Sequence, residues 1–198
     1  MTRRLTASEI HADETYRGYA FDGLDLRHSG MEDCVFDGCS FVDADLTSSR
    51  LNGAEFHACD LSGVRMAGCN LFSVSFDGCK LLGWDLRDGV GLTATGFTGC
   101  NLDFSILRGV SLRKMTFDRC SLIEADLSLA DFREAAFLDC DLSNVDVAGA
   151  SFHMTDLRGS TLTGWNLRRD DLAGVVITPW QLHALATEIG IHVLDGSG

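Results

Sequence analysis

The chain has one proline, Pro179, among 198 residues, and only two tyrosines and three tryptophans. Basic residues are also scarce: 16 Lys and Arg stand against 29 Asp and Glu, for a net charge of −13. That sign argues against direct binding to nucleic acid or to an anionic membrane surface. No apolar stretch approaches the length of a membrane span, and residues 1–15 hold no apolar secretory run, so a cytoplasmic protein is expected. The chain also lacks a phosphate-cradling glycine loop, a nucleophile motif and a His/carboxylate constellation at useful spacing. Neither catalysis nor a cofactor is expected.

What the chain does have is a large apolar residue at every fifth position. The first run goes from Phe21 through Leu26, Met31, Phe36, Phe41 and Leu46 to Leu86. A six-residue step then leads to Leu92, and the count of five resumes to Ile177. Five matches neither the 3.6 of an α-helix nor the 2 of a strand. It does match a chain that turns a corner after every few residues, which is a solenoid. The motif Phe-x-x-Cys recurs at Phe36, Phe56, Phe76, Phe97, Phe117 and Phe137, in steps of 20 or, once, 21. Four five-residue faces therefore make one coil, and these six phenylalanines should pile up along a single wall.

Call the large apolar residue of each face its centre. The residue two places earlier is small, and all eight cysteines (Cys34, Cys39, Cys59, Cys69, Cys79, Cys100, Cys120, Cys140) occupy that slot. Alternation sends both residues inward and the one between them outward. Buried stacked thiols suit a reducing compartment better than a disulfide framework or a metal site, and no metal is expected. The six histidines share no slot and read as surface residues. Trp84 and Trp165 also fall in the small slot, where local widening and outward rotation are both open. The glycines of Arg87-Asp-Gly-Val-Gly91 suggest that the extra residue forms a bulge or tiny loop.

About eight coils at ~4.8 Å per strand make a rod ~38 Å long. Its net charge is then about one per 3 Å, against one per ~1.7 Å for duplex DNA. On one face the outward residue before the centre is Asp25, Asp45, Asp85, Asp126 and Asp146, interrupted by Arg65, Ile106 and Asn166. Such a stripe either mimics a duplex or simply keeps a rod soluble.

Pro179 closes the repeats. Thr178-Pro-Trp-Gln181 reads as a helix start, with Thr as N-cap and Gln at the capping-box position. Leu182, Leu185, Ala186 and Ile189 then share one helical face, and Ile191-His-Val193 can add a short strand. Three segments follow: a loose or lightly packed N-terminal segment (1–15), the repeat region (16–177) and a C-terminal cap (178–198). Trp180, Leu182, Leu185, Ile189 and Val193 are the expected cap or dimer surface.

The face pattern of Ala44-Asp-Leu-Thr-Ser48, Cys59-Asp-Leu-Ser-Gly63, Ala125-Asp-Leu-Ser-Leu129 and Cys140-Asp-Leu-Ser-Asn144 resembles the pentapeptide-repeat family. The resemblance covers about residues 16–177 and implies an all-β, right-handed quadrilateral parallel β-helix. Phe76-Asp-Gly-Cys-Lys-Leu-Leu-Gly-Trp-Asp-Leu86 and the segment from Asp171 through Leu182 to Leu194 further resemble the Qnr-type fluoroquinolone-resistance and topoisomerase-poison immunity group. That likeness implies a homodimer joined through the C-terminal cap. It also implies acidic faces that imitate duplex DNA and dock on DNA gyrase, inhibiting it or protecting it from poisons. The alternative is an interaction scaffold with no topoisomerase role. The chain departs from members with long projecting loops, because its only interruption is one residue near Gly89.

Overall fold

In the computed structural model, residues 3–4, 6–87, 89–165 and 174–188 are described. The five-residue cadence winds the chain into a parallel β-helix. Cys34, Phe36, Cys39 and Phe41 are buried, while Asp37 and Gly38 at the corner between them are exposed. Corners turn through a residue of positive φ two places after the centre, usually Gly, Asp, Asn or Ser. Gly53 has a second reason to be glycine, since a Cβ there would collide with the Asp33 carboxylate.

Wall 1 is the longer of the two sheets among the described residues. After β1 (Arg3–Arg4), it comprises β2 (Thr15–Arg17), β4 (Val35–Asp37), β5 (Glu55–His57), β6 (Ser75–Asp77), β7 (Gly96–Thr98), β8 (Thr116–Asp118) and β9 (Ala136–Leu138), all parallel. Between β2 and β4 lies β3 (Tyr19–Ala20), which pairs with β1. Register sets Phe36 on Phe56, Phe76, Phe97, Phe117 and Phe137 in turn. Their rings stack with centroids 4.6–5.2 Å apart, and the tilt between neighbours falls from 16° at Phe36–Phe56 to 1° at Phe117–Phe137. The β1–β3 pair starts wall 2, and the other walls are otherwise held by isolated bridges: wall 2 at Ser40↔Asp60, wall 3 at Asp25↔Asp45 and wall 4 at Arg50↔Asn70.

The regular ladder is shorter than the eight coils expected. Its seven strands span six turns, and wall 1 then continues only as the bridges Ala136↔Asp156 and Asp156↔Val176. The slip is absorbed at the corner between walls 3 and 4. Gly89, at φ 72°, donates its N–H to Arg87 O, and register beyond steps by 21 at Asn70↔Gly91 and Lys80↔Asn101. Leu92, just past the slip, is only partly buried.

The small slot has a polar purpose that its size alone does not reveal. Most donors that occupy it reach the carbonyl of a centre 23 or 24 residues earlier, in the preceding coil. Cys59 Sγ lies 3.4 Å from Phe36 O, Ser49 Oγ 2.7 Å from Leu26 O, and Thr155 Oγ1 2.8 Å from Phe132 O. This resolves the two tryptophans. Trp84 and Trp165 point inward, and their indole N–H groups donate to Leu61 O at 2.9 Å and Leu142 O at 2.7 Å. Trp84 is fully buried, edge-on to Phe76.

The described part of the N-terminal segment packs on the first coil. β1 extends the helix by pairing with β3, Ile10 is buried, and Val35 N–H and Cys34 Sγ bond to Glu14 O and His11 O. These contacts cover the first coil, whose core would otherwise face water.

At the other end, α1 (Pro179–Glu188) starts with the capping box. Gln181 N–H donates to Thr178 Oγ1 at 3.3 Å, while Gln181 Oε1 accepts Thr178 N–H at 2.8 Å. Gln181 also plugs the coil, its Nε2 donating to Leu157 O at 2.6 Å and Ser160 O at 2.8 Å. Leu185 and Ala186 are buried, but Leu182, one turn earlier on the same helical face, is not. It is 60% exposed, beside Trp180 at 77%. Ile189, Val193 and the strand expected at 191–193 lie outside the described residues.

Candidate functional site

Aspartate precedes the centre so often because the corner needs an acceptor there. In the segments Asp45-Leu-Thr47, Asp60-Leu-Ser62 and Asp141-Leu-Ser143, the Asp Oδ1 accepts the N–H two residues on, at 3.0, 3.1 and 3.0 Å. Asn70 and Asn101 do the same for Phe72 and Asp103. This is an Asx-type turn, and it satisfies an amide that would otherwise be orphaned. Where Ser40 and Ser121 replace the aspartate, Asp22 and Asp103 of the preceding coil accept the amides of Val42 and Ile123 at 3.1 and 2.8 Å. Part of the acidity is therefore structural.

The stripe on wall 3 is in register through Asp25↔Asp45↔Arg65 and Asp85↔Ile106↔Asp126↔Asp146. Much of its charge is neutralised. Arg27 grips Asp25 through contacts of 2.8 and 2.6 Å, Arg87 grips Asp85 at 2.9 and 2.6 Å, and Arg65 lies 3.2 Å from Asp45. The Arg27 side chain and amide hold the Asp25 carboxyl down at about 2. Arg87 likewise keeps Asp85 below the ordinary carboxylate range. For Asp45 the Thr47 side chain contributes most to a similar lowering, with slight burial opposing it and the Thr47 amide and Arg65 assisting. Among the described residues, Asp126 and Asp146 meet no cation within 4 Å; Ser128 and the amide of Ala148 serve them instead.

Wall 2 carries the less compensated charge, which sequence order alone did not single out. From Phe21 onward its outward and corner positions hold Asp22, Asp43, Asp60, Asp103, Glu124 and Asp141 against one base, Lys80; before Phe21, β1 adds Arg3 and Arg4 to the start of this wall, paired with Tyr19 and Ala20. These acids are held mainly by hydroxyls and amides, such as Ser62 Oγ on Asp60 and Ser143 Oγ on Asp141, both at 2.6 Å. Partial burial pushes Asp60 up, but the Ser62 bonds and Lys80 at 3.4 Å bring it net below its usual value. The signal was available: wall 2 falls at every fourth centre, and counting both sides of each centre would have found it.

Among the described residues, no group of three or more His, Cys, Asp or Glu is arranged to hold a metal ion, and no helix is long and apolar enough to cross a membrane. The eight cysteines are free and buried.

Two family models describing pentapeptide repeats match the sequence that forms these coils. One, a pentapeptide repeat region, covers residues 13–86; the other, pentapeptide repeats in eight copies, covers 97–133 and 125–164. The chain belongs to the pentapeptide-repeat family. The gap between the two matches coincides with the one-residue slip. No curated protein matches by sequence. Among solved structures, this pentapeptide-repeat protein is similar to two trypsin-treated forms of QnrB1, a plasmid-mediated fluoroquinolone resistance protein. The first is 22% identical with a TM-score of 0.70, covering 98% of this chain and 100% of QnrB1. The second is 25% identical with a TM-score of 0.65, covering 98% and 94%. HetL, a pentapeptide-repeat protein involved in heterocyst differentiation regulation in Nostoc sp. strain PCC 7120, is 20% identical, with 88% and 86% covered and a TM-score of 0.48.

Proposed function

We propose that the protein is a cytoplasmic, non-enzymatic mimic of duplex DNA that binds DNA gyrase or a related type II topoisomerase, inhibiting it or protecting it from fluoroquinolones and similar poisons. The observation that carries this reading is the six carboxylates of wall 2, one in each coil from that of Phe21 to that of Leu142 except the coil of Leu81, opposed beyond β1 only by Lys80. Asp126 and Asp146 extend the same field onto wall 3, whereas Asp25, Asp45 and Asp85 contribute less because arginines cover them. The likeness to QnrB1 supports the choice of partner. A homodimer through the cap belongs to the same proposal, with exposed Trp180 and Leu182 as its contact and Leu185 closing the coil.

A second reading has its own observation. The Asx role of the aspartates and the arginine pairs on wall 3 would also suit a soluble scaffold with no topoisomerase partner. Supercoiling by purified gyrase, titrated with this protein at rising salt and with or without a fluoroquinolone, separates the two. Mimicry predicts inhibition or protection that weakens as salt screens the contact. An activity indifferent to changing Asp60, Asp126, Asp141 and Asp146 together to Asn would leave the scaffold reading standing. Asn is the right probe, because Asn70 and Asn101 show that it keeps the corner hydrogen bond without the charge.

A further inference from the structure

Three large apolar side chains occupy corner positions with left-handed backbone: Phe104 (φ 60°), Leu129 (φ 60°) and Met154 (φ 59°). A residue with a Cβ resists that conformation. On wall 2 the same position is glycine at Gly63, Gly83 and Gly164. Leu129 has a packing role, since its Cδ2 lies over Gly149, 2.9 Å from where a Cβ would stand. Phe104 takes no part in the core and is 53% exposed. Folding supplies no reason for an aromatic there.

Its neighbours do supply one. Gly83 N–H donates to Asp103 O, and Phe104 N–H donates to Ile123 O, so Leu82, Asp103 and Ile123 form one row along the rod with Phe104 beside its middle member. Leu82 is exposed and Ile123 half-buried. At ~4.8 Å per coil, the apolar cluster spans about 10 Å. Lys80, Asn101 and Ser121 run beside this row, with Asp60 and Asp141 one coil beyond its two ends; Glu124 lies one coil on from Phe104, and Asp103 lies within the cluster. An aromatic anchor inside a charged rim is the make-up of an interface hot spot: the charges steer and fix register, and the desolvated anchor supplies short-range affinity. A duplex backbone offers no such knob.

We infer that wall 2, centred on Phe104, is the docking face, and that its partner is a basic protein surface with an apolar recess facing Phe104. This rests on the topoisomerase reading above, with the positive DNA-binding surface of gyrase as the complementary partner.

The test uses full-length protein and purified DNA gyrase holoenzyme, with affinity measured over a range of salt concentrations for wild type, Phe104→Gly and Phe72→Ala. Phe72 is the matched control, because it is 51% exposed but lies on wall 4. Glycine suits the Phe104 backbone, so Phe104→Gly should melt at or above the wild-type temperature and still bind at least about tenfold more weakly. Its salt dependence should be unchanged, because no charge is removed. Phe72→Ala should bind like wild type. Equal binding by Phe104→Gly and wild type, or equal losses in both variants, would overturn the docking face while leaving gyrase as partner. A wild-type protein with no salt-dependent affinity for gyrase would sink both readings.

Discussion

The Cys140 thiol lies 3.4 Å from the carbonyl oxygen of Phe117, a residue 23 positions earlier and one coil below. The same sulfur accepts the N–H of Cys120 at 3.4 Å. One atom therefore serves both of these backbone groups at a wall 1 corner, with Leu138 O a third neighbour at 3.4 Å. Ser160, in the equivalent slot one coil on, does the same with shorter bonds: Oγ accepts Cys140 N–H at 2.9 Å and donates to Phe137 O at 2.8 Å.

Cys140→Ser should therefore stay within about 1 kcal/mol of wild-type stability, while Cys140→Ala, closer in polarity to a neutral deletion, should lose ~1–3 kcal/mol by orphaning buried backbone groups. Urea denaturation of the three proteins checks this. Equal losses for Ser and Ala would mean that the slot is chosen for volume alone.

Trp84 fills the core and donates its indole N–H to Leu61 O. Trp84→Ala should cost about 3–5 kcal/mol through the cavity left behind. Trp84→Phe should cost less, having lost mainly the hydrogen bond. The shift of the thermal midpoint measures both, and a Trp84→Ala protein as stable as wild type would contradict a packed interior at this coil.

Leu185 and Leu182 should behave differently despite being three residues apart. Leu185 is buried against the coil, so Leu185→Asp should lower the melting temperature. Leu182→Asp should leave melting almost unchanged and, if the cap joins two copies, shift the protein to monomer in sedimentation. A Leu182→Asp dimer would place the contact elsewhere.

Acid should weaken the fold in a defined direction. Asp25, Asp85, Asp131 and Asp156 all titrate below the ordinary value of 3.8, each chiefly through its arginine partner (Arg27, Arg87, Arg133 and Arg158), and Asp25 falls to about 2. A lowered folded-state value means that the stabilisation is fully present above about pH 4 and is lost as pH falls through the folded-state values. Melting temperature should be flat from pH 7 to about pH 5 and decline below pH 4. These pairs are largely solvated, so the loss should be modest. A rise in stability on acidification would reverse the sign assigned here.

The sequence by itself determined the winding. Inward and outward positions alternate along each short face, and that alternation is local, so the period of five, the Phe36-to-Phe137 column, the slip near Gly89 and the Thr178–Gln181 cap could all be read from the letters. Only the tertiary structure decided what those positions do for one another. Arg65 covers Asp45 from 20 residues away, thiols and indoles reach carbonyls 23 residues back, and Gln181 seals Leu157 and Ser160. These contacts depend on coil-to-coil register and on side-chain rotamers, which no window of five residues contains. On wall 3, Arg27 and Arg87 pair with Asp25 and Asp85 from two residues along the chain, a local pattern, whereas only stacking brings Arg65 onto Asp45. Stacking also gathers Leu82, Phe104 and Ile123 on wall 2.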